Sequence, residues 1–161
     1  MDRLWIEFAP YGAAQYSRAY SRFAEGLHDL RPLWERFYVG FLAMEREQFA
    51  TQGGHGSGGW PPLLEPYRTW KMQKRPGRLI LEFDGDLKNS LTQRGAKDSI
   101  CRINTGWAEF GSSVPYGIYH AKGTSRMKKR PPIELSESDR TAWDKTTHGW
   151  LYETMRERLQ A

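Results

Sequence analysis

The sequence predicts an α+β fold: a small, largely antiparallel sheet packed with N-terminal helices and a C-terminal helix. Three observations carry this expectation. Aromatic and apolar residues recur at steps of three and four through the first third of the chain. Two short β-prone runs then meet across Asn104-Thr105-Gly106. A second helical stripe, opening on a capping signal, closes the chain. The 161 residues suffice for one domain with a real core, so 1–161 reads as a single domain.

Each element has its own local reason. Leu4, Ile6 and Phe8 alternate with Trp5 and Glu7, which suggests a short strand ended by Pro10-Tyr11-Gly12. Tyr16, Tyr20, Phe23, Leu27 and Leu30 form the apolar stripe of a helix from about Ala13 to Leu30. Pro32 disfavours helical geometry at Arg31 and suits the first turn of a new helix. Trp34, Phe37, Phe41 and Met44 mark that helix, to about Thr51, and the two make a helical hairpin or one bent helix. Their aromatic stripe fits a core or a subunit interface better than a cofactor box.

After a glycine-rich stretch, Pro62 can open a short helix along Leu63, Tyr67, Trp70 and Lys71, broken at Arg75-Pro76-Gly77. Leu79 to Phe83, with Leu87 and Leu91, reads as a further short helix or an extended segment through Ser90. Ser99–Ile103 and Trp107–Phe110 are the expected strands. Pro115 to Ala121 makes one or two helical turns stopped by Gly123, and Ile133 with Leu135 a short strand. A lone hairpin is marginal in water, so the strands near Leu4 and Ile133 are expected to join it. Ser136 with Asp139 resembles a capping box, Ser138 being a rival cap. Trp143, Thr147, Trp150, Leu151, Met155 and Leu159 line one face of the final helix.

Composition narrows the function classes. A single cysteine, Cys101, allows no internal disulfide, and its place in a predicted strand suggests a buried, inert thiol. No apolar run approaches the ~18–20 residues that span a bilayer, and MDRLWIEF is no signal peptide. A soluble chain kept inside a cell is expected. The net charge of +5 is not spread evenly. No acid lies between Glu109 and Glu134, where Lys122, Arg126, Lys128, Lys129 and Arg130 fall. These five charges equal the whole net charge, so the basic character is one loop, 122–130. Such a loop is either a solvated turn or a contact for a polyanion or an acidic partner.

FATQGGHGSGGWPPLL, Phe49 to Leu64, carries G-x-G-x-x-G at Gly54, Gly56 and Gly59. A dinucleotide site needs a strand before this motif and helix amides after it. Here a helix precedes, and Pro61-Pro62 supply no amide hydrogens. The stretch Gly53, Gly54, His55, Gly56, Gly58, Gly59 and Trp60 therefore reads as a flexible hinge or assembly arm, 53–59, without nucleotide. His55 has no spaced partner ligand for a metal. His28, His120 and His148 make no metal face with it, and neither G-x-S-x-G nor C-x-x-C occurs. Asp84 and Asp86 flank Gly85; a helix-starting turn explains them better than a metal or a shared proton. No catalytic residue, cofactor or metal is expected. A small hydrolase would require Asp84, Asp86 and His120 to converge in space.

Several segments together resemble a known family. They are Trp60-Pro61-Pro62-Leu63, LILEFDGDLKNSL, FGSSVPYGIYHAKG from Phe110 to Gly123, and RPPIEL from Arg130 to Leu135. In order and spacing this resembles the phage virion morphogenesis family, the tail-completion and head–tail joining proteins of tailed bacteriophages. The resemblance covers about Gly59 to the C-terminus. Asp84 stands where the family often has Thr or Ser, Gly117 where it has Ala, and Ala121 where it has Gln.

The resemblance implies a structural virion protein, not an enzyme. It implies a homo-oligomeric ring, often hexameric, at the head–tail junction, assembled in the bacterial host cytoplasm. Its partners would be the connector or neck proteins and the tail tube or tail terminator, with genomic DNA passing through the lumen and no membrane involved. On this reading Lys122, Arg126, Lys128, Lys129 and Arg130 face DNA or a partner ring. Tyr116, Tyr119 and His120 order that loop. The alternatives are a tail terminator capping the tail tube, or a small nucleic-acid-binding protein using the basic loop.

Overall fold

The computed structural model describes residues 13–56 and 58–160, with side chains described from 18 to 158. The strand expected near Leu4 lies outside the described residues. Within them are six helices and one two-stranded sheet, an α+β arrangement. In chain order the elements are α1 (Ala13–Gly26), α2 (Arg31–Ala50), α3 (Tyr67–Lys74), α4 (Asp86–Thr92), β1 (Ser99–Ile103), β2 (Ala108–Ser112), α5 (Gly117–Lys122) and α6 (Glu137–Gln160).

The centre of the molecule is α2. Tyr38, Phe41, Leu42, Met44 and Phe49 from this helix form one buried cluster with Trp60, Val114, and Leu87 and Leu91 of α4. Leu87 and Leu91 are almost wholly buried, each worth roughly 1.5–3 kcal/mol of apolar burial. The strands pair antiparallel with Cys101 opposite Phe110 and Ile103 opposite Ala108. Side chains alternate across the sheet. Phe110 therefore packs inward, with ring centroids 5.1 Å from Tyr38 and 5.8 Å from Phe41. On the other face Arg102 pairs with Glu109 at 2.9 Å in solvent. The long α6 packs on α1 and α2, where Trp143 stacks on Phe37 at 5.3 Å.

The first helix ends at Gly26 instead of Leu30. Leu27 and His28 form a turn, and the Leu30 N–H donates to Thr105 O at 2.8 Å. Helices α1 and α2 are thus separate, and α1 packs chiefly on α6. The helix expected from Pro62 begins at Tyr67. In a helix the Pro62 carbonyl would accept from residue 66, which is a proline with no N–H. The Leu79–Ser90 segment divides: turns run to Gly85, then α4 starts at Asp86.

Ile133 and Leu135 form no strand, and the sheet stops at two strands among the described residues. Their segment follows Pro131-Pro132 and is held by side chains instead of a ladder. The Pro131 carbonyl accepts from Trp60 Nε1 at 2.9 Å and from Gln48 Nε2 at 3.4 Å. Cys101, expected to be buried, is exposed.

The start of α6 follows the sequence signal. Asp139 N–H donates to Ser136 Oγ at 3.2 Å, and Ser136 N–H donates to Asp139 Oδ2 at 2.8 Å. This reciprocal pair is a capping box. Ser138 serves as partner to the Ser136 hydroxyl, 2.8 Å away.

Candidate functional site

The expected hinge is a closed turn in the structure. Several of its described amides are spent internally: Gly53 N–H donates to Gln48 O at 2.8 Å and Gly54 N–H to Thr51 O at 3.2 Å. Gly56 N–H donates to Gln48 Oε1 at 3.1 Å, and Gly59 N–H to Gly53 O at 3.1 Å. Trp60 N–H then returns to Gln52 O at 2.7 Å. The turn packs back onto the end of α2, with the Trp60 ring buried against Phe49.

Glycine is needed here for proximity at Gly53 and Gly56 and for a positive φ at Gly53, Gly58 and Gly59. Gly53 has φ +86°, and a Cβ on it would stand 2.4 Å from the Trp60 ring. A Cβ on Gly56 would stand 2.8 Å from the Glu134 side chain. A flexible linker and a close-packed turn share a composition, because both require the missing Cβ.

His55 is not the lone histidine its local sequence suggests. Nε2 lies 2.8 Å from Asp139 Oδ2, and Nδ1 lies 3.2 Å from Glu47 Oε2. Burial acts to lower its pKa, but Asp139 and Glu47 outweigh that and hold it above the usual histidine range. Both ring nitrogens thus face acids, so His55 pins the turn to α2 and α6. Asp139 comes from 84 positions away, which no motif of local spacing reveals.

The basic loop divides into two kinds of cation. Lys122, Arg126, Lys128 and Lys129 are exposed, and none has an ion-pair partner among the described residues. Arg130, expected beside them, is 3% exposed. Its Nε donates to Pro61 O at 2.7 Å and its Nη2 to Pro62 O at 2.8 Å, while Nη1 reaches Lys128 O at 3.4 Å. Arg130 is therefore a strut, not a surface contact. Its planar fork of donors satisfies two consecutive carbonyls that no helix takes up.

Tyr116, Tyr119 and His120 lie at the start of this loop, and the backbone joins two of them to it. Tyr119 O accepts from Gly123 N–H at 2.8 Å, and His120 O accepts from Arg130 N–H at 2.8 Å. Between these bonds Thr124 and Met127 close a tight turn. The Tyr119 side chain is exposed, whereas Tyr116 meets the His120 ring edge-on at 6.0 Å. His120 Nδ1 is buried without a hydrogen-bond partner. Burial, then Arg130 and Lys71, hold the His120 pKa below its usual range.

The two acids of the hydrolase alternative have other places in the fold. Asp84 pairs with Arg75 at 2.6 Å, and Asp86 sits in the first turn of α4. Neither acid is among the charges acting on His120. Among the described residues, no three His, Cys, Asp or Glu side chains are grouped to hold a metal. None of the described helices is long and apolar enough to cross a membrane.

Among the buried polar residues that no local pattern singles out, two belong to α2. Gln48 links the glycine turn to Pro131, and Glu45 is wholly buried beside it with neither carboxylate oxygen hydrogen-bonded. Their one sequence signal is position, because Glu45 and Gln48 fall on the same helical face as Phe41 and Phe49. Comparison of the chain with protein-family models, curated proteins and solved structures gave no match.

Proposed function

We propose that this chain is a structural protein of a tailed-phage particle, a tail-completion or head–tail joining protein that acts as a ring at the head–tail interface. One observation carries the reading: the segments that resemble the virion morphogenesis family interlock. Trp60 of the first segment donates to Pro131 of the last, and Arg130 of the last donates to Pro61 and Pro62 of the first. Ser90 of the second segment meets Ser112 of the third, hydroxyl to hydroxyl, at 2.6 Å. A Cβ at Gly117 would touch Leu87 at 3.3 Å. Motif residues that brace one another specify a fold rather than a reaction.

The surface supports an assembly role. Tyr67, Trp70, Trp107, Tyr119 and Tyr152 are exposed, and aromatic residues are enriched in protein interfaces. A closed ring needs two complementary faces per subunit. The four free cations of the basic loop suit passing DNA or an acidic neighbouring ring.

The test is electron microscopy of particles from a phage with an early stop codon in this gene. DNA-filled heads beside separate, normal-length tails are expected. Overlong tails would assign a tail terminator instead, and normal infectious virions would sink the assignment.

The second reading, a nucleic-acid-binding protein, is favoured by those same four cations. Lys128→Ala with Lys129→Ala separates the two. Loss of salt-sensitive DNA binding by the isolated protein favours the second reading. Loss of particle assembly with unchanged solution binding favours the first.

A further inference from the structure

A cavity of about 440 Å³ opens beside α3, a size in the range of small-ligand pockets. Leu81, Phe83 and Tyr116 supply apolar wall, and every ionisable side chain of ordinary charge lining it is basic. Lys71 and Arg130, each 3% exposed, form its deep polar end together with His120. Arg126 and Lys128, both exposed, stand at its mouth.

The two buried cations are only partly satisfied. Lys71 Nζ donates to Leu79 O, one acceptor for three N–H groups. Arg130 has five N–H groups and donates to three carbonyls. The acid nearest in effect to Lys71 is Glu82, and that carboxylate already pairs with Lys88 at 2.9 Å. Positive charge is thus gathered in a low-dielectric pocket with spare donors and no acid of its own on the wall. Such charge is costly unless an anion completes it.

We propose that this cavity is a binding site for an apolar monocarboxylate, whose head group meets Lys71 and Arg130 and whose body lies on Leu81, Phe83 and Tyr116. Carboxylate is the fitting anion because Arg130 has only part of its fork left and Glu82 offsets part of the Lys71 charge. The carboxylate can come from a free amphiphile or from the C-terminal residue of a neighbouring chain. The proposal does not rest on the particle-assembly reading, although Arg126 and Lys128 belong to both surfaces.

Calorimetric titration of the full chain tests the proposal with four probes: decanoate, decanol, N-acetyl-leucyl-phenylalanine and its C-terminal amide. Decanoate or the free-acid peptide is expected to saturate one site per chain, with its uncharged counterpart at least about tenfold weaker. The carboxylate that binds identifies the source. Lys71→Met should weaken binding by about tenfold or more while leaving the melting transition cooperative. Leu64→Asp at the half-exposed mouth should also weaken it, without disturbing a buried group. The proposal is overturned by decanol binding as tightly as decanoate, or by no carboxylate saturating below about 1 mM. Unchanged affinity in both variants would overturn it equally.

Discussion

Glu45 gives the sharpest quantitative prediction. Its side chain is 0% exposed, and neither oxygen has a hydrogen-bond partner. Burial, and then the negative charge of Asp139, push its pKa from the ordinary 4.5 up to about 8. The folded chain therefore holds a proton that the unfolded chain releases. Where the native state binds more protons, stability falls as pH rises. The window therefore runs from 4.5 to about 8, with a limiting slope of about 1.4 kcal/mol per pH unit. The accumulated loss at pH 7 is on the order of 3 kcal/mol, and above the folded pKa on the order of 5 kcal/mol. Glu45→Gln keeps the shape of the neutral acid and removes its titration. Urea unfolding followed by tryptophan fluorescence, repeated from about pH 5 to 8, measures the difference. The variant should gain stability over the native chain progressively with pH. Parallel stability curves for the two proteins would refute the reasoning. His55 also loses its stabilising contribution as pH rises through its raised pKa, but it does so in both proteins and cancels in the comparison.

Three further outcomes are expected. Gly53→Ala meets both a positive φ and a Cβ placed 2.4 Å from Trp60; it should cost about 2 kcal/mol or more in a urea melt, whereas a free linker would be indifferent. Arg130→Met leaves the carbonyls of Pro61 and Pro62 without their donors and should cost about 2–4 kcal/mol; Lys128→Ala and Lys129→Ala, both exposed, should each stay within about 0.5 kcal/mol, so equal effects by thermal unfolding would contradict the division of the basic loop. Ser136→Ala removes the hydroxyl that caps Asp139 N–H and should cost about 1 kcal/mol, while Ser138→Ala should cost less.

The order of helices and strands was legible because it is written in local patterns. Apolar residues three and four apart in α2, the Asn104-Thr105-Gly106 turn and the Ser136/Asp139 cap each act within a few residues. The boundaries were less legible. Where Pro62 failed to start a helix, the reason lay in Pro66, and where Ile133 failed to join the sheet, its neighbour Pro131 was bound to Trp60 and Gln48. Of the candidate site, the sequence identified the cluster of cations and the glycine turn but not their roles.

What the sequence alone determined is the fold class, the central aromatic helix α2 that supplies most of the core, and the confinement of net charge to one loop. Tertiary structure alone decided that Arg130 is a buried strut while its neighbours are free, that His55 clamps two helices, and that Lys71 closes a cationic cavity. The physical reason is range. Periodicity and capping are properties of adjacent residues, whereas the charge state and task of a buried polar group depend on partners such as Pro61 and Pro62, 69 and 68 positions away from Arg130, that only folding brings within hydrogen-bond distance.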